Sequence, residues 1–497
     1  MVGYMPSSLR GRLASGARWT ISIRVVERVI GFVSTLILAR LLSPADFGVV
    51  AMGTAIQVIL ATVTQFGFTQ ALIRMRRPKR DAYSTAFTLS VIAGALVGII
   101  LLASIPLAEK WYGDARVTPV MVTLAAISLI AGFRNTGLVR YERVLDFRPF
   151  FKIALARKIA SFSIGAVCAL AWHDYRALLA GMLLGAFVEI GMTYALTRFR
   201  PNFTLARVRE LLGFSLWWLA SGATTIFGSR AQDLLIGQQL GAAVLGRYSV
   251  ALDLATMPTV EIVAPVMRAV YPGYIQMKDD PGRLFSAFSR VWGVIALLSI
   301  PSAVGIACIA DLVTSVVLGP KWTEAAPLMQ LLAGTGAVQA MRSCYWPMLL
   351  TRAGPRTVFL LAVATVSLTL PAFTLGLVFQ GVHTAIIAWI ACSAFMLFVG
   401  ARVLLSDLGQ SWVPLVRALI RPALGAMTMA AFLAVLDTMF PPSTRWVPDA
   451  VYLVASILLG ALVYVSTVAV LWLFAGRPRE AETELLSVAL GQLRKPR

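Results

Sequence analysis

The chain has 497 residues, 58% of them hydrophobic and 13% charged, and a mean hydropathy of +0.79. A water-soluble fold has nowhere to hide that much apolar surface, so the bilayer is its solvent and a soluble enzyme is excluded. The formal charge of +21 does not point to nucleic acid, because no basic domain stands outside the apolar blocks.

Fourteen apolar blocks follow one another at 19–41, 47–72, 83–106, 118–138, 151–172, 176–197, 214–239, 244–272, 285–309, 325–349, 357–379, 383–405, 414–436 and 450–474. One helix crosses a bilayer core of about 30 Å with roughly 20 residues, which these lengths match. The blocks lack the alternation of barrel strands, so the expected fold is an all-α integral membrane protein with about fourteen transmembrane helices. Ala14-Ser15-Gly16-Ala17 precede the first block rather than follow it, so that block reads as an anchor and not as a cleavable signal. The segment Leu9–Trp19 suits a short basic helix on the membrane surface.

Lys and Arg outside the blocks divide unevenly, 27 on one face of the membrane and seven on the other. The heavier side holds Arg74, Arg76, Arg77, Lys79 and Arg80, then Arg140, Arg143, Arg148 and Lys152. Positive loops stay in the cytoplasm, so both termini are expected there.

Leu42-Ser43-Pro44-Ala45-Asp46-Phe47-Gly48 separates the first two spans, and Leu240-Gly241-Ala242-Ala243-Val244-Leu245-Gly246 separates the seventh and eighth, 198 residues later. A weaker echo links Arg176-Ala177 to Thr384-Ala385. Six spans separate each pair, an even number, which predicts parallel repeats about an axis along the membrane normal. The expected organisation is a cytoplasmic segment 1–18, six-helix lobes at 19–200 and 211–405 joined by a linker at 201–210, two further spans in 406–476, and a cytoplasmic tail 477–497.

Ten cations fall inside spans: Arg24, Arg28, Arg134, Arg157, Lys158, Arg230, Arg268, Arg342, Arg417 and Arg421. Each costs several kcal/mol against hydrocarbon, so it needs a wet cavity, a partner or a route to the headgroups. For Arg157, Lys158, Arg417 and Arg421, snorkelling and a cavity role are equally open. Arg24, Glu27 and Arg28 share one helical face, which Gly31 and Thr35 continue. Arg230 and Asp233 are one turn apart, and Asp253, Glu261 and Arg268 fall on one stripe of the eighth span. Pro258 and Pro265 bend that span. Pairing among these charges is the bland reading. It leaves positive charge over, because the anions Glu27, Glu189, Asp233, Asp253 and Glu261 are fewer, and a passing phosphate or acidic sugar would match an Arg fork. The carboxylates are candidates to take up H⁺ or Na⁺.

Cys168, Cys308, Cys344 and Cys392 form no CxxC pair and read as packing residues, with no metal site and no cofactor expected. Most tryptophans near block ends read as an interfacial belt. No Walker A, GxSxG or HExxH motif is present.

At Ile37-Leu38-Ala39-Arg40-Leu41-Leu42-Ser43-Pro44-Ala45-Asp46-Phe47-Gly48, at Gln65-Phe66-Gly67-Phe68 and at Leu240–Gly246, the chain resembles the bacterial polysaccharide transporters, the Wzx-type oligosaccharide flippases of the multidrug/oligosaccharidyl-lipid/polysaccharide superfamily. The extra C-terminal pair of spans is similar to that of the related lipid II flippases. The resemblance implies transport, not enzymatic catalysis, in the inner membrane. The implied cargo is undecaprenyl diphosphate carrying an oligosaccharide unit for exopolysaccharide, capsule or lipopolysaccharide O-antigen. It implies alternating access around a cavity in which Arg24, Arg28 and Arg230, with Arg268, engage the diphosphate. Arg134 and Arg342 are further binding candidates, and Glu27, Asp233, Asp253 and Glu261 are candidates for ion coupling. Other polysaccharide-assembly proteins are candidate partners. A drug/cation antiporter of the same superfamily and a membrane glycan polymerase are the alternatives; short outer loops argue against the second, and excess cavity cations against the first.

Overall fold

The computed structural model describes residues 7–64, 71–73, 75, 78–212, 216–277, 279–440 and 448–476. The family stretch Gln65–Phe68 and the expected tail 477–497 lie outside them. The described residues are helical, with no strand among them. The long helices are α1 (Ser7–Leu41), α2 (Pro44–Thr64), α3 (Arg80–Ala103), α4 (Val117–Gly132), α5 (Arg148–Trp172), α6 (Arg176–Leu196), α7 (Leu216–Gln276), α8 (Pro281–Cys308), α9 (Ala326–Arg352), α10 (Gly354–Gln380), α11 (Val382–Leu408), α12 (Val413–Met439) and α13 (Asp449–Phe474). Each apolar block of the sequence overlaps one of these helices. Among the described residues nine are long and apolar enough to cross a membrane, ten if the bent pair Val117–Gly132 and Thr136–Arg143 is one span. The protein is therefore a multi-pass membrane protein. The expected count of fourteen crossings is not reached by this measure; α1, α7 and α9 are not among the nine.

Three local features depart from the block pattern. First, α1 is one unbroken helix of 35 residues, about 52 Å long, so Leu9–Trp19 is not a separate surface helix. Gly16 is buried against the carbonyl of Leu145 and the ring of Phe147, and Trp19 meets Phe151 edge to face at 5.2 Å. This packing carries the helix through the small residues at 14–17. Second, α4 stops at Gly132, and the chain bends by 53° before resuming at Thr136. The cause is Asn135, which is 1% exposed. Its side chain accepts from the Gly137 amide and donates to the Phe199 carbonyl, and its own amide donates to Thr193 Oγ1. Third, the expected turn in α7 shrinks to one residue, Gly241, at φ 78° and ψ 179°, a conformation open to glycine and costly for other residues.

The chain divides into two compact units, Met1–Gly246 and Arg247–Arg497. In the first, α5 packs on α6 and on α1, and α4 packs on α2, α3 and α6. In the second, α8 packs on α9 and α12, α10 on α11, and α13 on α12. Tyr464 of α13 donates to the Leu297 carbonyl of α8 at 2.8 Å, which ties the last two helices to the second unit.

The two sequence-related turns meet inside the first unit. A Cβ on Gly48 would collide with the backbone of Ala242, and one on Gly246 with the backbone of Pro44. Pro44 and Ala242 are equivalent positions of the repeat, as are Gly48 and Gly246. Reciprocal contact of equivalent positions is what a local two-fold axis produces. Around it, Asp46, 7% exposed, accepts from the Ser43 amide at 2.8 Å and from the Tyr175 amide at 3.2 Å, so the carboxylate pins both the first turn and the start of α6.

Gly48→Ala must separate two backbones and is expected to cost about 1–3 kcal/mol. A Cβ at Gly191 in α6 meets nothing within 4 Å, so Gly191→Ala should be neutral or stabilise by about 0.5–1 kcal/mol. Thermal unfolding of the purified variants in detergent checks both signs.

Candidate functional site

The first unit holds a partly open cavity of about 860 Å³. Residues of α2 through α6 line it, with the bent segment after α4 and two residues of α7, Gly222 and Ile226. Its charged lining is Arg134, Glu142, Arg157, Lys158 and Glu189, and polar groups come from Gln57, Ser90, Ser128, Asn135, Thr136 and Ser161.

Small residues make the space. α3 and α4 cross closely, with Gly94 against the Ser128 carbonyl at 2.5 Å and Gly132 against the Ser90 carbonyl at 2.8 Å from a would-be Cβ. α5 and α6 cross in the same manner at Gly165 and Gly181. Such crossings are how helices associate tightly in a medium that offers them no hydrophobic drive. Gln57 of α2 donates to Ser128 Oγ at 2.9 Å and to the Leu124 carbonyl at 3.2 Å, fixing α2 to α4.

The charges form a chain. Arg157 Nη2 donates to Glu27 Oε1 of α1 at 2.6 Å. Arg157 Nε lies 3.6 Å from Glu189 Oε2, and Arg134 Nη1 lies 3.8 Å from Glu189 Oε1. Glu27, Arg157, Glu189 and Arg134 thus alternate in sign from α1 through α5 and α6 to the end of α4. Arg134 is also the cation acting on Glu142. The stem of Arg157 passes Gly185 of α6, with Cγ 3.6 Å from where a Cβ would stand. Next to it on α5, the Lys158 ammonium lies 3.8 Å from the corresponding point on Gly31, the residue that continues the Arg24/Glu27/Arg28 face. Arg157, Glu27 and Arg28 are the charges acting on Lys158.

The structure therefore brings Glu27, Arg28 and Arg134 to one region. Arg24 lies one turn before Arg28 on α1 and is half-buried. Arg230 and Asp233 pair with each other at 3.0 Å on α7, the carboxylate buried and the guanidinium half-exposed. Asp253 and Arg342 belong to the second unit. Asp253 is exposed, and the Arg342 guanidinium stands 6.0 Å from the Trp346 ring one turn on. The side chains of Glu261 and Arg268 lie outside the described residues. Sequence reasoning left Arg157 and Lys158 undecided and gave Glu189 and Glu142 no place in the site. Cys168 and Cys344 are buried and all four cysteines are free. Among the described residues no group of three metal-ligating side chains occurs.

Arg157→Met removes the guanidinium that donates to Glu27 at 2.6 Å and is expected to cost about 1.5–3 kcal/mol. Adding Glu27→Gln should recover part of that loss. A double-mutant cycle of unfolding free energies reads the coupling, and strict additivity would mean the pair is not energetically linked.

A family model described as polysaccharide biosynthesis protein matches residues 37–327, more than half of the chain. The succinoglycan biosynthesis transport protein ExoT of Rhizobium meliloti (strain 1021) is 27% identical over 465 residues, covering 90% of each chain. The lipopolysaccharide biosynthesis protein WzxC of Escherichia coli (strain K12) is 23% identical over 373 residues, covering 74% of this chain and 76% of its own. Among solved structures, lipid II flippase MurJ in an inward closed conformation gives a TM-score of 0.71 at 11% identity, covering 92% of this chain and all of that one. An inward-facing multidrug resistance MATE family transporter gives 0.60 at 14% identity, covering 79% and 98%. At these identities the structural likeness shows a shared fold. With the family model spanning more than half of its length, the chain belongs to the polysaccharide biosynthesis protein family.

Proposed function

We propose that the protein is a flippase that carries an undecaprenyl-diphosphate-linked oligosaccharide from the cytoplasmic to the outer leaflet of a bacterial inner membrane. The cargo serves exopolysaccharide, capsule or O-antigen assembly. One observation carries the reading: a cavity inside an apolar helical unit is lined by three cations, Arg134, Arg157 and Lys158, against two carboxylates, Glu142 and Glu189. Guanidinium and ammonium groups gathered on one cavity wall can donate together to a diphosphate, whose oxygens accept charge-assisted hydrogen bonds. The cavity volume of about 860 Å³ suits a diphosphate with its first sugars and leaves a polyprenyl chain in the lipid. A cationic drug would meet like charge there.

In this reading the lobes 19–200 and 211–405 alternate access, both termini are cytoplasmic, and Arg24, Arg28, Arg230, Arg268 and Arg342 add positive charge along the route. H⁺ or Na⁺ at Glu27, Asp233, Asp253 or Glu261 supplies the coupling. The roles of the relatives in succinoglycan and lipopolysaccharide biosynthesis support the choice of cargo.

Proteoliposomes loaded with a fluorescent lipid-linked oligosaccharide test the proposal. The wild type is expected to move the label between leaflets, and Arg134→Gln to slow it about tenfold or more, the worth of one charge-assisted hydrogen bond. Wild-type liposomes that exchange cationic drugs and leave the glycolipid in place would overturn it.

A further inference from the structure

We propose that the linker between the lobes is a membrane anchor, in which Phe203 and Leu205 enter the acyl boundary while Lys79, Arg198 and Arg209 hold anionic phospholipid headgroups. The inference goes beyond the cargo and its cavity and concerns lipid that is not transported. It takes from the flippase reading only that the basic face is cytoplasmic, which names the leaflet.

The sequence expects a plain connector at 201–210. The structure instead lays it along the first turns of α3. The amide of Asn202 donates to Ser84 Oγ at 3.3 Å, that of Thr204 to Thr88 Oγ1 at 2.9 Å, and that of Arg207 to Thr85 Oγ1 at 3.4 Å. All three hydroxyl-bearing residues are buried. Phe199 and Leu211 close the segment at either end, in one apolar cluster with Leu72, Ala82 and Tyr83. Irregular backbone can lie at the depth of lipid only where its polar groups find partners in the protein. This row of hydroxyls supplies such partners. Thr88 stands eight residues into α3, a helix long and apolar enough to cross the membrane, and so about 12 Å from its start. Of the three contacts, the one at Thr204 therefore lies deepest.

With the backbone fixed inward, the side chains on either side of Thr204 face out. Phe203 is 68% exposed and Leu205 54%. The Phe203 ring leans on Phe87 of α3, 5.5 Å between centroids, which holds it at the rim of the helix. An aromatic and an aliphatic side chain held there match the boundary between headgroups and acyl chains.

The surrounding charge is strongly positive. Residues 79–81 and 198–210 hold Lys79, Arg80, Arg198, Arg200, Arg207 and Arg209 against Asp81 and Glu210. Arg207 is matched, since it pairs with Glu210 and Asp81 acts on it. Arg80 and Arg200 are engaged with backbone: Arg80 donates to the Arg200 carbonyl at 3.4 Å, and Arg200 to the Thr197 carbonyl at 2.8 Å. Lys79, Arg198 and Arg209 are exposed and make no ion pair among the described residues. An apolar tip flanked by such cations suits an anionic leaflet, where each cation strengthens attachment about fivefold.

The test places the full-length protein in nanodiscs of phosphatidylcholine alone or mixed with phosphatidylglycerol, at matched ionic strength. Hydrogen exchange is followed by mass spectrometry in peptides covering 198–210, with peptides of α13 as the internal reference. Wild-type exchange in the linker is expected to be about fivefold or more slower with phosphatidylglycerol, and about 1 M salt should shrink the difference. The triple variant Lys79→Gln/Arg198→Gln/Arg209→Gln should lose most of it, and Arg209→Gln alone, losing part, serves if the triple variant does not fold. Phe203→Ser/Leu205→Ser should speed exchange in both lipids. Equal wild-type exchange in the two lipids overturns the proposal, as does a phosphatidylglycerol effect that the charge variants keep in full. Protection given by the proteins of a membrane extract and by neither lipid would assign the surface to a protein partner and also overturn it. The readout needs no cargo, so its outcome is separate from that of the flippase reading.

Discussion

Charge has to be settled locally when the surrounding medium is hydrocarbon. Everything distinctive about the first unit follows from that constraint. Its helices bring guanidinium and carboxylate groups to one depth, and the alternation from Glu27 through Arg157 and Glu189 to Arg134 satisfies each charge with its neighbour. The chain of charges crosses α1, α5, α6 and the end of α4, so the same contacts that neutralise the charges also fix those elements around the cavity. Ion pairs of this kind do not make a core more stable than well-packed apolar residues would. Their presence signals a function that needs polar groups.

Glycine is the structural counterpart of these charges. The α3–α4 and α5–α6 crossings are close because Gly94, Gly132, Gly165 and Gly181 bring backbones together. Gly185 and Gly31 stand beside the stem of Arg157 and the ammonium of Lys158, each at ordinary contact distance from where a Cβ would be. The same device works at the Gly48/Gly246 contact, where equivalent turns of the repeat meet backbone to backbone. In the proposed reading, the three cations of the cavity lining favour a phosphorylated or acidic cargo over the cationic compounds a drug antiporter would carry. In this way the site distinguishes between functions that one fold can host.

Much of the fold was legible in the chain. Block length and basic asymmetry identify a helical membrane protein, and the Ser43–Gly48 and Gly241–Gly246 echoes mark the repeat. The bend after Gly132 was not legible, because it depends on Asn135 reaching Phe199 and Thr193, partners about sixty residues away. The unbroken α1 was hidden for the same reason: Leu9–Trp19 reads as a separate surface helix, and the packing of Gly16 depends on Leu145 and Phe147, far along the chain. At the site, Glu27, Arg28 and Arg134 were visible as intramembrane charges. Arg157, Lys158 and Glu189 were harder, since a cation part-way along a span can snorkel as readily as it can pair. A usable signal was nonetheless present. Glu27, Arg157 and Glu189 each stand about six to eight residues inside the basic end of their spans, so opposite charges on three helices share a depth, about 9–12 Å from that end at the helical rise.

The most direct measurement is an experimental structure of the protein bound to undecaprenyl-diphosphate-linked oligosaccharide in a lipid nanodisc. The account predicts diphosphate density inside the first unit's cavity, its oxygens about 2.7–3.2 Å from the Lys158 ammonium or the Arg134 guanidinium. Diphosphate density held only at the headgroup level, with Lys158 and Arg134 turned away from it and the cavity free of cargo, would contradict the account.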